Sequence, residues 1–151
     1  DVEKSYDLFC SGVIEGLRML GIDAYNRKGD IMIGGKKVSG SAQHRLYDAI
    51  LHHGTLMVDV NLDMLARTLG VSDLERHLIN LYDVLPHKVP LSRIKRHIVK
   101  GFEKRLNMKL KKGTLTPRER QIAKKLYEIK YSKRDWNIEM KALVPLKEFL
   151  V

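Results

Sequence analysis

The sequence predicts an α+β fold, an antiparallel meander with helices packed on one side. Three observations carry this: an apolar helical stripe opens the chain, β-type runs divided by a Gly-Gly pair follow, and helix start signals recur toward the end. Val2, Tyr6, Phe9, Val13, Leu17 and Leu20 recur at spacings of three and four, which predicts an amphipathic helix over 2–20 closed by Gly21. Residues 21–26 read as a short strand. Residues 30–33 and 36–43 read as a hairpin, because Gly34-Gly35 readily supplies the positive φ of a two-residue turn. "AILHHGTLMVDV" (49–60) is a further strand, and Asn61 is an N-cap for a helix over 62–69 closed by Gly70. Residues 71–89 are ambiguous between a short helix and a loop. Pro90 introduces a helix over 91–107 with Leu91, Ile94, Ile98, Phe102 and Leu106 on one stripe. "MKLKK" (108–112) reads as a short strand. Thr116, Pro117 and Glu119 then specify the start of a helix that runs to about residue 131.

With 151 residues, 44% of them hydrophobic, residues 1–151 are expected to form a single domain. No apolar run approaches the roughly 18 residues of a membrane span, and "DVEKSYDLFCSGV" lacks the order of a signal peptide, so a cytoplasmic protein is expected. The lone Cys10 excludes an internal disulfide and a cysteine-rich zinc site. Lys and Arg number 28 against 18 Asp and Glu, a formal net charge of +10, which implies an acidic partner. The excess is regional, since ten Lys and Arg between His87 and Lys112 face only Glu103. Such a block can track phosphates, dock an acidic protein or form a solvated face; with no aromatic interleaving beyond Phe102, nucleic acid is disfavoured.

A turn at Gly34-Gly35 pairs Ile33 with Lys36, Met32 with Lys37, Ile31 with Val38 and Asp30 with Ser39. Alternation then places Asp30, Met32, Lys37, Ser39 and Ser41 on one face, and Ile31, Ile33, Lys36, Val38 and Ala42 on the core face. Asp30 and Lys37 become diagonal neighbours beside a strip with almost no side-chain volume. A carboxylate, an amine and exposed backbone in one groove suit phosphate chemistry, although a surface salt bridge fits the same residues. Adjacent His52 and His53 point to opposite faces of a strand, so they do not share a metal ion and only one can face the groove.

Four stretches, "GDIMIGGKKVSGSAQHR", "HHGTLMVDVNLDMLARTL", "ERHLINLYDVLP" and "KKLYEIKYSKRDWN", resemble in content and order the lipoate–protein ligase family of the biotin/lipoate ligase superfamily. The resemblance runs from the first helix to about Asn137. It implies that lipoate and ATP give lipoyl-adenylate, and that the acyl group then passes to a lysine of an acidic lipoyl carrier domain, such as a 2-oxoacid dehydrogenase E2 or the glycine cleavage H protein. It implies that Lys37 is the catalytic lysine and that Asp30 is the acidic residue associated with Mg2+. It further implies that Ser39, Gly40, Ser41, Ala42, His53, Gly54 and Thr55 line the adenylate pocket. The family's Arg-Arg glycine-rich lipoate-binding loop has no counterpart here. The expectation is therefore a C-terminal part of the catalytic domain, inactive alone, with a second polypeptide supplying the N-terminal half and possibly an accessory domain, and exposing apolar sheet surface that a partner covers. Octanoyltransferases with a cysteine nucleophile also carry "GSAQ" and "HG" segments and imply transfer without ATP. Residues 23–30, before the hairpin, hold no cysteine, and Cys10 reads as core. A non-catalytic module acting through the basic helix is a third reading, and lipoate and octanoate are not distinguished as donor acid.

Overall fold

The first helix forms where the apolar spacing places it. In the computed structural model, which describes residues 1–46 and 48–141, α1 spans Val2–Arg18. Asp1 caps it by accepting a hydrogen bond from the Glu3 N–H at 3.0 Å, satisfying one of the free donors of the first turn. Strands β1 (Ala24–Arg27), β2 (Asp30–Ile33), β3 (Lys36–Leu46) and β4 (Ala49–Leu56) follow as one antiparallel sheet in the order β1-β2-β3-β4. Gly34 and Gly35 have φ of 54° and 83°, the left-handed pair that a two-residue turn requires.

Pairing matches expectation at Ile33–Lys36 and Met32–Lys37 and then departs from it. Ile31 pairs with Ser39 rather than with Val38, so Val38 is an extra residue in β3, a β-bulge. The alternation expected across the whole hairpin is corrected at this point. β4 also ends at Leu56, short of residue 60. The Met57 N–H still reaches the Val38 carbonyl, but the carbonyls of Met57 and Val58 accept from the N–H groups of Leu81 and Tyr82, which draws the chain off the sheet.

Asn61 accepts from the Met64 N–H at 2.8 Å and caps α2 (Leu62–Leu69), which Gly70 closes at φ 65°. The ambiguous segment resolves into a 3-10 turn (Leu74–Arg76) and a short helix α3 (Leu81–Val84). α4 spans Leu91–Leu106. The strand expected at 108–112 does not form: the Leu110 N–H is taken by the Glu103 carboxylate at 2.9 Å instead of by a neighbouring strand.

α1 and α4 lie side by side on one face of the sheet, with Leu17, Ile31, Val38, Leu81 and Ile94 in the core between the layers. Their approach depends on absent side chains. A Cβ on Gly101 would stand 2.2 Å from the Gly12 carbonyl oxygen and 2.4 Å from the Gly16 nitrogen. Glu15, buried at this contact, accepts from Arg18 at 2.8 Å and from Lys104 at 2.5 Å. The Lys104 bond, with the charges of Lys104 and Arg18, holds the Glu15 carboxyl below its usual range.

By contact the chain divides into two compact units, 1–110 and 111–151. In the second, the Thr116–Glu119 capping box starts α5 (Pro117–Leu126), a π-helical turn covers Tyr127–Tyr131, and α6 spans Arg134–Asn137. Lys130 is buried within this unit, with its Nζ 3.7 Å from the Trp136 ring centre. Among the described residues no helix is long and apolar enough to cross a membrane.

Candidate acyl-adenylate cleft

Lys37 is fixed by its backbone before its side chain is considered. Its N–H donates to the His77 carbonyl at 2.7 Å and its carbonyl accepts from the Ile79 N–H at 3.0 Å, so segment 77–79 lies against β3 where β4 has ended. Lys37 Nζ stands 2.8 Å from Asp30 Oδ1, and both side chains are about one third exposed, at 36% and 33%. The diagonal pair expected from the hairpin therefore forms.

Beside it lies a cleft of about 410 Å³, lined by Lys37, Gly40, Ala42, His53, Thr55 and Leu78, with Ser41, Gly54 and Met57. A Cβ on Gly40 would stand 2.9 Å from Lys37 Cε and 3.7 Å from Asp30 Oδ1, so glycine keeps the space over the pair open. A Cβ on Gly54 would stand 2.9 Å from the Gly40 carbonyl oxygen, which makes both glycines part of the cleft floor.

The bulge separates residues that the expected register joined. Gly40, paired with Thr55, and Ala42, paired with His53, share the Lys37 face, while Ser39 and Ser41 face the helices. Ser41 Oγ donates to the Gly29 carbonyl at 2.6 Å, and the Cys10 thiol lies 3.6 Å from the same oxygen. Ser39 is buried, at 6% exposure. Met32, expected on the open face, pairs with Lys37 and is buried at 1%. Asp30, Lys37, Gly40, Ala42, His53, Gly54 and Thr55 are thus brought together; the hydroxyls of Ser39 and Ser41 are not.

A second cavity, about 280 Å³, lies on the helix side and is lined by Cys10, Val13, Ser39, His52, Ile98 and Phe102, among others. His52 Nδ1 accepts from Gln43 Nε2 at 3.1 Å, and its ring stacks on Phe9 with ring centres 4.6 Å apart. Burial, and then the neighbouring His53, lower its pKa, which favours the neutral ring. Burial likewise pushes the Cys10 thiol up, against the smaller opposing effect of its contact with Ser41. The residues that sequence reasoning missed are Leu78 and Met57 of the cleft wall, while Cys10 lies in the core as the sequence places it. Leu78 lies in the ambiguous segment and had no periodic signal. Among the described residues no group of three or more His, Cys, Asp and Glu is gathered as a metal site, so Asp30 offers one carboxylate.

Residues 1–103 match the family described as the lipoyl protein ligase A/B catalytic domain. Lipoate-protein ligase A subunit 1 of Thermoplasma acidophilum is 28% identical over 91% of this chain and 60% of its own. Octanoyltransferase LipM of Geobacillus kaustophilus is 27% identical over 91% of this chain and 62% of its own. The chain thus spans about three fifths of the length of these relatives. Among solved structures, a lipoate-protein ligase A bound with ATP superposes with a TM-score of 0.85 at 29% identity, covering 93% of this chain and 61% of that one. A bipartite lipoate protein ligase from Thermoplasma acidophilum, described with its E2 lipoyl domain, gives 0.85 at 26% identity, covering 95% and 62%. Together with the ordered motifs and their shared cleft, these matches show that the chain belongs to the lipoyl protein ligase A/B catalytic domain family.

Proposed function

We propose that residues 1–151 form the C-terminal part of the catalytic domain of a cytoplasmic, ATP-dependent lipoate–protein ligase. The supporting observation is the Lys37–Asp30 pair at 2.8 Å, held open by Gly40 in a cleft floored by small residues. In the first step the lipoate carboxylate oxygen attacks the α-phosphorus of ATP, forming lipoyl-adenylate and releasing pyrophosphate. Lys37 neutralises both anions and the charge that develops between them. Asp30 orients the ammonium and would offer a single carboxylate to Mg2+, which would offset phosphate charge there. Gly40, Ala42 and Gly54 let the adenylate approach the main chain, and His53 and Thr55 offer polar groups from β4. Ser39 and Ser41 contribute through the backbone of β3, since Ser41 Oγ is bonded to Gly29.

In the second step the carrier lysine amine displaces AMP and forms an amide. Acidic carriers, an E2 lipoyl domain or a glycine cleavage H protein, suit the net charge of +10. A second polypeptide working with this chain is supported by the subunit designation of one relative and the bipartite description of one structural neighbour. The resemblance to LipM favours a second reading, octanoyl transfer without ATP. Such chemistry needs an accessible thiolate, whereas Cys10 is 2% exposed with a raised pKa.

The test is lipoate-stimulated exchange of pyrophosphate into ATP by the native complex. Lipoate-dependent exchange that disappears in Lys37→Ala is expected. Octanoyl transfer from a carrier without ATP, with no exchange, overturns the ligase reading in favour of the transferase.

A further inference from the structure

α4 is assembled against its own electrostatics. Pro90 provides no side-chain cap and the first turn holds no acidic residue, so Arg93 stands at the positive end of the helix dipole. Arg93 and Arg96, Arg96 and Lys100, and Lys100 and Lys104 are like-charge neighbours at spacings of three and four. Lys104 is paired with Glu15, but among the described residues Arg93, Lys95, Arg96, Lys100 and Arg105 have no ion-pair partner. Glu103 is the sole acidic residue on the helix, and its carboxylate accepts from the Leu110 N–H. The helix is held by its inner face, through buried Ile94 and the contact of Gly101 with α1. The outer face therefore retains its cations for another use.

Val99, 44% exposed, stands among those cations, and Leu91, 53% exposed, lies about two turns away at the start of the helix. Phosphate backbones offer nothing to such side chains. The aromatic ring of this helix, Phe102, is turned inward over Gly12 rather than offered to a base. An apolar centre with an Arg and Lys surround is instead the composition of a protein interface. We propose that the outer face of α4 docks an acidic protein surface with an apolar centre. This helix covers the Ser39 and Ser41 face of the sheet, opposite Lys37, so a protein docked there leaves the cleft open. The proposal is independent of which acyl transfer the cleft performs.

The probe is a synthetic amphipathic helix with leucines on one stripe and glutamates beside it, titrated into the full chain by fluorescence anisotropy. Binding is expected to weaken about tenfold in Lys95→Glu/Lys100→Glu and about threefold in Val99→Ser. It should change less than twofold, about the level of an exposed ion pair, in Lys111→Glu/Arg118→Glu, which has the same net charge as the first variant. Equal loss in both charge-reversed variants, no effect of Val99→Ser, or tighter binding of duplex RNA than of the peptide would each overturn the proposal.

Discussion

Gly40 and Lys37 face each other across the bulge, with the absent Cβ of Gly40 occupying a point 2.9 Å from Lys37 Cε. A methyl group there meets the far end of a flexible side chain rather than backbone. Gly40→Ala should therefore change stability by no more than about 1 kcal/mol in chemical denaturation. The same methyl pushes the ammonium off Asp30, so adenylate formation by the native complex should fall at least about tenfold, as expected for a displaced charge at the reacting centre. Normal activity in this variant would show that the pair needs no open space beside it.

Gly101→Ala has the opposite profile. Its Cβ meets the backbones of Gly12 and Gly16, which cannot rotate aside as a side chain can. A loss of about 3 kcal/mol or more is expected from forcing α1 and α4 apart, readable as a lower denaturation midpoint. Gly12→Ala meets the Phe102 ring instead, a side chain that can shift, and should cost less.

Glu15 links α1 and α4 through Arg18 and Lys104, and its carboxyl is held below the usual range by the Lys104 bond first. The unfolded chain binds a proton at this site before the folded protein does. The contribution of Glu15 is thus complete above the ordinary glutamate pKa, near 4.5, and is lost as pH falls through the lower folded value. In thermal melts, Glu15→Gln should lower the Tm at pH 7 and flatten its decline below about pH 4.5. Parallel pH profiles for the two proteins would show that Glu15 is not the linked group.

Cys10 is buried beneath Ser41 with its pKa raised by that burial. Iodoacetamide at neutral pH should label the native protein far more slowly than the chain in denaturant. Cys10→Ala should retain pyrophosphate exchange. Rapid native labelling together with loss of acyl transfer in Cys10→Ala would move the assignment to a thiol-dependent transferase.

Local signals were read correctly where a single residue type dictates the backbone. The Gly34-Gly35 turn, the Asn61 and Thr116 caps and the stripe of α1 fall where the sequence places them. The meeting of Asp30 and Lys37 was legible because the Met32–Lys37 pair lies on the turn side of the bulge, with Asp30 two residues from Met32 along β2. The Val38 bulge was not, since Val is as good in a regular strand as in a bulge and the bulge is set by what packs on either side. Missing it put Ser39 and Ser41 on the wrong face. The end of β4 was hidden for a related reason: Met57 and Val58 are good strand residues, but the backbone of Leu81 and Tyr82 competes for their carbonyls. The segment from 108 to 112 shows the converse, a β-type sequence that pairs with no strand among the described residues.

Both main-chain polar groups of Lys37 are occupied by segment 77–79, while its ammonium is held by a single carboxylate. The residue is therefore rigid at its root and free along its stem: repositioning the amine needs only side-chain torsions, and no strand hydrogen bond has to break. That anchorage also makes the residue a messenger, because any displacement of His77 or Ile79 must drag the Lys37 peptide groups with it. The cleft and a stretch forty residues further along the chain share one mechanical joint.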